Sequence, residues 1–133
     1  MPAGAIPVSE LIEHDVRRVR PDVSLVEVAE ALTEADVGAV VVGEEEKVSG
    51  IVSERDLSRA IAGGRDLAST HAQDVAHTQL VWCDATATVA EVAVEMMEQY
   101  VRHVLVEEGD RLVGIVSARD LLGVYASSEL GIS

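Results

Sequence analysis

Two short stretches of this chain carry a hydroxyl, a guanidinium and a carboxylate in the same order: Ser53-Glu54-Arg55-Asp56 and Ser117-Ala118-Arg119-Asp120. Each follows Gly-Ile-Val and precedes Leu, so an apolar strand runs into a helix start. Free backbone N–H groups and the positive end of the helix dipole favour an anion at such a place. The serine can bond a phosphate or sugar oxygen, and the arginine can pair with phosphate. The aspartate can accept both hydroxyls of a ribose diol. The same Ser-x-x-Asp spacing is also a capping box, which needs no ligand. Two observations favour binding. The arginine is repeated although its neighbour changes from Glu54 to Ala118. Two other helix starts, Ser24 to Glu27 and Thr88 to Glu91, show a plain box without it.

The repetition extends well beyond these stretches. Shifted by 64 residues, positions 24–57 align with 88–121 without a gap, and 15 of the 34 pairs are identical. An internal duplication is the only economical reading. Each copy predicts a short strand (16–20; 80–84), then a helix with Leu25, Val28, Ala29 and Leu32, or Val89, Val92, Ala93 and Met96, at helical spacing. Two further strands follow as a hairpin (39–42 with 48–52; 103–106 with 112–116), then a closing helix from Ser53 or Ser117. Residues 66–79 form a polar connector with a short helix near 70–76, mirroring 9–13. The expected fold class is α/β (α+β): two βαββα repeats, 1–66 and 67–133, packed face to face with pseudo-twofold symmetry. Neither small sheet can bury both faces alone.

Composition sets limits on function. The 133 residues are 48% hydrophobic with no Phe, so Val, Ile, Leu and Ala must build the core. A net charge of −14 opposes nucleic acid and anionic membranes, so a phosphate needs a local group of cations. The lone Cys83 excludes an internal disulfide, and no apolar run is long enough to span a bilayer. A cytoplasmic protein is expected. No nucleophile stands beside a base and no Gly-rich phosphate loop is present, so no enzymatic activity is expected. The spacing of His71, His77 and Cys83 suits no helical metal pair, and no metal site is expected. Cys83 reads as a small buried hydrophobe.

The doubled Gly-Ile-Val-Ser-x-Arg-Asp-Leu, after Val-Gly-Ala-Val-Val-Val or Val-Arg-His-Val-Leu-Val, resembles the cystathionine-β-synthase (CBS) domain family, over roughly residues 9–126. Two copies resemble a CBS pair, or Bateman module. The resemblance implies a regulatory module with no required cofactor. It implies an adenosine-containing ligand (AMP, ADP, ATP, S-adenosylmethionine, NAD or a cyclic dinucleotide) in clefts between the repeats. A homodimer and an effector protein acting in trans are implied as partners. Carried over residue by residue, the ribose-binding acid falls on Asp56 and Asp120 and the hydroxyl on Ser53 and Ser117. The hydroxyl before the first helix falls on Ser24 and Thr88. The stretch bordering base and phosphate falls on Val37, Gly38 and Ala39, and on Val101, Arg102 and His103.

Each cleft is expected to mix the copies. Ser117, Arg119 and Asp120 would join Ser24 and Val37, Gly38 and Ala39, while Ser53, Arg55 and Asp56 would join Thr88, Val101, Arg102 and His103. Because Arg102 and His103 replace Gly38 and Ala39, the Ser53 cleft is expected to favour phosphorylated ligands. The alternative is a structural or protein-interaction disc with empty clefts.

Overall fold

Hydroxyl caps start the first helix of each repeat in the computed structural model, which describes residues 2–12 and 16–129, the side chains of the last two excepted. Ser24 Oγ accepts the Glu27 N–H at 3.2 Å and opens α1 (Leu25–Ala35). Thr88 opens α4 (Val89–Gln99) with the full reciprocal box, because the Glu91 carboxylate also accepts the Thr88 N–H at 3.1 Å. Only half of the expected box therefore forms at Ser24.

Both helices end on a non-glycine residue in the left-handed region, Asp36 (φ 53°) and Tyr100 (φ 56°). An L side chain is strained there. Tyr100 is 95% exposed, so its ring gains little packing in return. Tyr100→Gly is expected to stabilise the monomeric fold by about 0.5–1 kcal/mol, read as a rise of roughly 2–3 °C in Tm.

The chain divides into two compact units, Arg17–Leu80 and the remainder. In the first unit β1 (Arg18–Val19) pairs parallel with β2 (Ala39–Val42), and β2 pairs antiparallel with β3 (Gly50–Ser53). Helix α2 (Glu54–Ala62) follows β3 directly, and α3 (Ala72–Val75) follows the connector. In the second unit β4 (Trp82–Asp84), β5 (His103–Glu108) and β6 (Arg111–Ser117) repeat this order, and α5 (Ala118–Glu129) closes it. The second hairpin is longer, with a bulge between Val106 and Glu107 and a turn through Gly109 at φ +65°.

Each core is aliphatic, as Phe-free composition requires. One gathers Leu25, Val28, Leu32, Val40, Val42 and Val52; the other Val89, Val92, Met96, Val104, Val106 and Val116. Every one is a strand or helix position of the expected apolar pattern.

The segment before each repeat packs where its counterpart does, 64 residues on. The Val8 N–H reaches Ala87 O at 2.8 Å, and the Ala72 N–H reaches Val23 O at 2.8 Å. Val8 and Ala72 are wholly buried. The duplication divides the sequence near residue 66, but residues 66–80 pack with the first repeat and 2–12 with the second. This crossing explains Gly50 and Gly114. A Cβ on Gly50 would stand 2.9 Å from Ala76 Cβ and 3.0 Å from His77 O, and one on Gly114 would stand 2.7 Å from the Ile12 side chain. Only glycine lets the incoming segment lie this close on the strand.

Candidate ligand site

Strand register assembles one corner in each unit. Ala39 lies opposite Ser53, and the Glu54 N–H donates to Gly38 O at 3.0 Å. His103 lies opposite Ser117, and the Ala118 N–H donates to Arg102 O at 2.9 Å. The stretch leading into the second strand thus meets the Ser-x-Arg-Asp segment of its own repeat. Within its own repeat, the hairpin brings Arg102 and His103 beside Ser117, because an antiparallel hairpin returns the chain to its own partner strand. Ser24 and Thr88 stand at the far ends of α1 and α4, roughly 16 Å of helix from Val37 and Val101. In their own units they serve as caps.

The two corners share a cap and an exposed arginine and differ in what else surrounds them. In the first, Asp56 Oδ2 accepts the Ser53 N–H at 2.7 Å and the Ser53 hydroxyl at 3.0 Å, while Ser53 Oγ accepts the Asp56 N–H at 3.4 Å. Asp56 Oδ1 is 2.6 Å from His77 Nε2. The Asp56 side chain is only 5% exposed, whereas that of His77 is 57% exposed. Glu54 Oε1 lies across Gly38, 3.2 Å from where a Cβ would be. Arg55 is exposed.

In the second corner, Asp120 Oδ2 accepts the Ser117 N–H at 2.8 Å and Ser117 Oγ accepts the Asp120 N–H at 3.0 Å. Asp120 is exposed, as are Arg102 and Arg119, and His103 is half-buried. Ala118 replaces Glu54 and Arg102 replaces Gly38. Each corner therefore has one arginine and one aspartate of its Ser-x-Arg-Asp segment and one histidine. The first adds the Glu54 carboxylate and buries its aspartate, while the second adds the Arg102 guanidinium and leaves its aspartate accessible.

Sequence reasoning missed His77, which it treated as a connector residue. The 64-residue shift pairs His77 with Glu13, so comparison of the copies gave no signal. Glu54 was visible as a difference, but its position over Gly38 was not. Cys83 is half-buried, and burial together with Asp84, Glu107 and Glu95 pushes its thiol up to about 11, which keeps it neutral at physiological pH. A shallow depression lined by Arg17, Arg18, Arg20, Glu27, Glu30 and Glu34 contains none of the candidate residues. Two of its arginines are already paired: Arg17 with Glu34 at 3.1 Å and Arg20 with Asp22 at 3.3 Å.

The model of the CBS domain matches the sequence twice, over residues 8–63 and 72–127. The chain belongs to the CBS-domain family. Both matches begin at the short segments that precede each repeat; the first ends at Gly63, the C-cap of α2, and the second inside α5. Hypoxic response protein 1 of Mycobacterium tuberculosis is 32% identical over 100 residues, covering 74% of this chain and 70% of that protein. The crystal structure of the CBS-domain protein ATU1752 from Agrobacterium tumefaciens superposes with a TM-score of 0.77 at 35% identity, covering 88% of this chain and 96% of that one. The CBS-domain protein PAE2072 from Pyrobaculum aerophilum, complexed with AMP, has a TM-score of 0.77 at 30% identity, covering 92% and 99%. CBS pairs are regulatory modules, and this chain is of that class. Among the described residues no helix is long and apolar enough to cross a membrane.

Proposed function

We propose that this protein is a regulatory module that binds an adenosine phosphate at the Ser117 corner and passes the change in its conformation to an effector protein. One observation carries the reading. Arg102, His103, Ser117, Arg119 and Asp120 stand together on one strand pair and one helix start, with two exposed guanidiniums and an exposed carboxylate. Asp120 offers the diol acceptor, and the guanidiniums offer the local cations that a −14 chain needs to hold phosphate. AMP in the 30%-identical PAE2072 supports the ligand class. A reducing, cytoplasmic setting suits the neutral, unpaired thiol of Cys83.

Titration calorimetry of AMP and adenosine against the wild type and Arg102→Ala tests this directly. The variant is expected to lose roughly tenfold in AMP affinity, about 1.4 kcal/mol, while adenosine binding stays nearly unchanged. Equal losses for both ligands would assign Arg102 to the fold or the base.

The same reading includes a homodimer. Val94 (51% exposed) and Met97 (77%) on α4, with Leu122 (69%) and Tyr125 (42%) on α5, leave an apolar helix face in the second unit. Three of their four counterparts in the first repeat, Glu30, Thr33 and Ser58, are polar and the fourth is Ile61, so the fold itself does not require apolar residues at most of these positions. Exposed apolar side chains on these two helices of a strongly anionic protein suit a second copy meeting them about a twofold axis. The wild type is expected to scatter light as a dimer at micromolar concentration, and Met97→Glu with Leu122→Glu as a folded monomer. A monomeric wild type would count against this part of the reading.

A further inference from the structure

We propose that His77 is a latch over the Ser53 corner, so that the protein has one open ligand corner and one whose diol acceptor is covered until the imidazole swings away. The inference rests on reading the Ser117 corner as a nucleotide site. Both carboxylate oxygens of Asp56 are engaged: Oδ2 by the Ser53 N–H and hydroxyl, Oδ1 by His77 Nε2 at 2.6 Å. A ribose diol needs Oδ1, and the ring stands on it.

The latch is anchored by its backbone. The Ile51 N–H donates to His77 O at 3.1 Å and the His77 N–H to Ile51 O at 2.9 Å, over the bare Cα of Gly50. The side chain, by contrast, is 57% exposed and can rotate into solvent without disturbing the core. Opening is thus a rotamer change and not a local unfolding. The other repeat has no histidine at the equivalent place in the sequence, since the residue 64 positions before His77 is Glu13.

Glu54 sets what the opened corner accepts. Its carboxylate lies over Gly38, at the position that Arg102 holds in the second repeat. A phosphate would meet like charge there, so the opened corner takes a neutral nucleoside in place of a nucleotide.

Calorimetric stoichiometry on the full chain tests the latch. The wild type is expected to bind either adenosine or AMP at one site per chain, and Asp120→Asn to weaken both by on the order of 30-fold. His77→Ala, and His77→Ser as a second variant too short to reach Asp56, are expected to bind two adenosines and still one AMP. Adding Asp56→Asn to either should restore one. His77→Gln keeps a donor and is expected to remain at one. Two adenosine sites in the wild type, or one in both His77→Ala and His77→Ser, would overturn the latch while leaving the nucleotide site standing. No binding to any folded variant would overturn the nucleotide reading and the latch with it.

Discussion

Asp56→Ala is expected to destabilise the fold by about 2–3 kcal/mol, and Asp120→Ala by no more than about 1 kcal/mol, although the two residues occupy equivalent positions. Both cap a helix start, but the Asp56 side chain is 5% exposed and supports Ser53 through its N–H and hydroxyl together. Removing it leaves the partly buried Ser53 N–H and hydroxyl without their acceptor, where water reaches poorly. The His77 contact adds only modestly, because the ring is more than half exposed and well solvated. Around Asp120 water can replace the lost bonds. Thermal unfolding should show a fall of roughly 8–10 °C for Asp56→Ala and 2–4 °C for Asp120→Ala. Equal falls would mean that burial of Asp56 contributes nothing.

Ligand affinity is expected to show the reverse order. Asp120→Ala should weaken AMP and adenosine alike by on the order of 30-fold, about 2 kcal/mol, because each ligand loses a diol held by a charged acceptor. Asp56→Ala should leave AMP affinity at the Ser117 corner unchanged. Dideoxyadenosine supplies the internal control: lacking the diol, it should bind the wild type weakly and lose nothing further in Asp120→Ala. A 30-fold loss for the dideoxy ligand would show that Asp120 acts by holding the helix start and not by contacting sugar. Together the two aspartates separate the capping and ligand roles of one motif, which the Ser-x-x-Asp spacing cannot do.

Much of the architecture was legible because duplication doubled every signal. Val28/Val92 and Val40/Val104 at matched positions marked the core of both repeats, and all are buried. Even the short connector helix and its mirror near the start of the chain were visible, because Val8–Leu11 and Ala72–Val75 precede their repeats by the same distance. The limits have physical causes. Gly50 and Gly114 were seen as repeated, but their reason, a chain segment lying on the strand, is a long-range contact. His77 was invisible because its role exists in one copy only. The partnership of Arg102 with Ser117 was available in principle. Counting back from the turn at Gly109 along the hairpin brings His103 opposite Ser117, with the bulge at Val106/Glu107 taken into account.

The Ser117 corner, and not its twin, is the site proposed for an adenosine phosphate. Mapping amide chemical shifts of the 15N-labelled protein during an AMP titration tests it most directly. Saturable shifts are expected at Arg102, His103, Ser117, Ala118, Arg119 and Asp120, with Gly38, Ala39, Ser53, Glu54 and Asp56 undisturbed. Shifts centred on Ser53 and Asp56, or none at any AMP concentration, would contradict it.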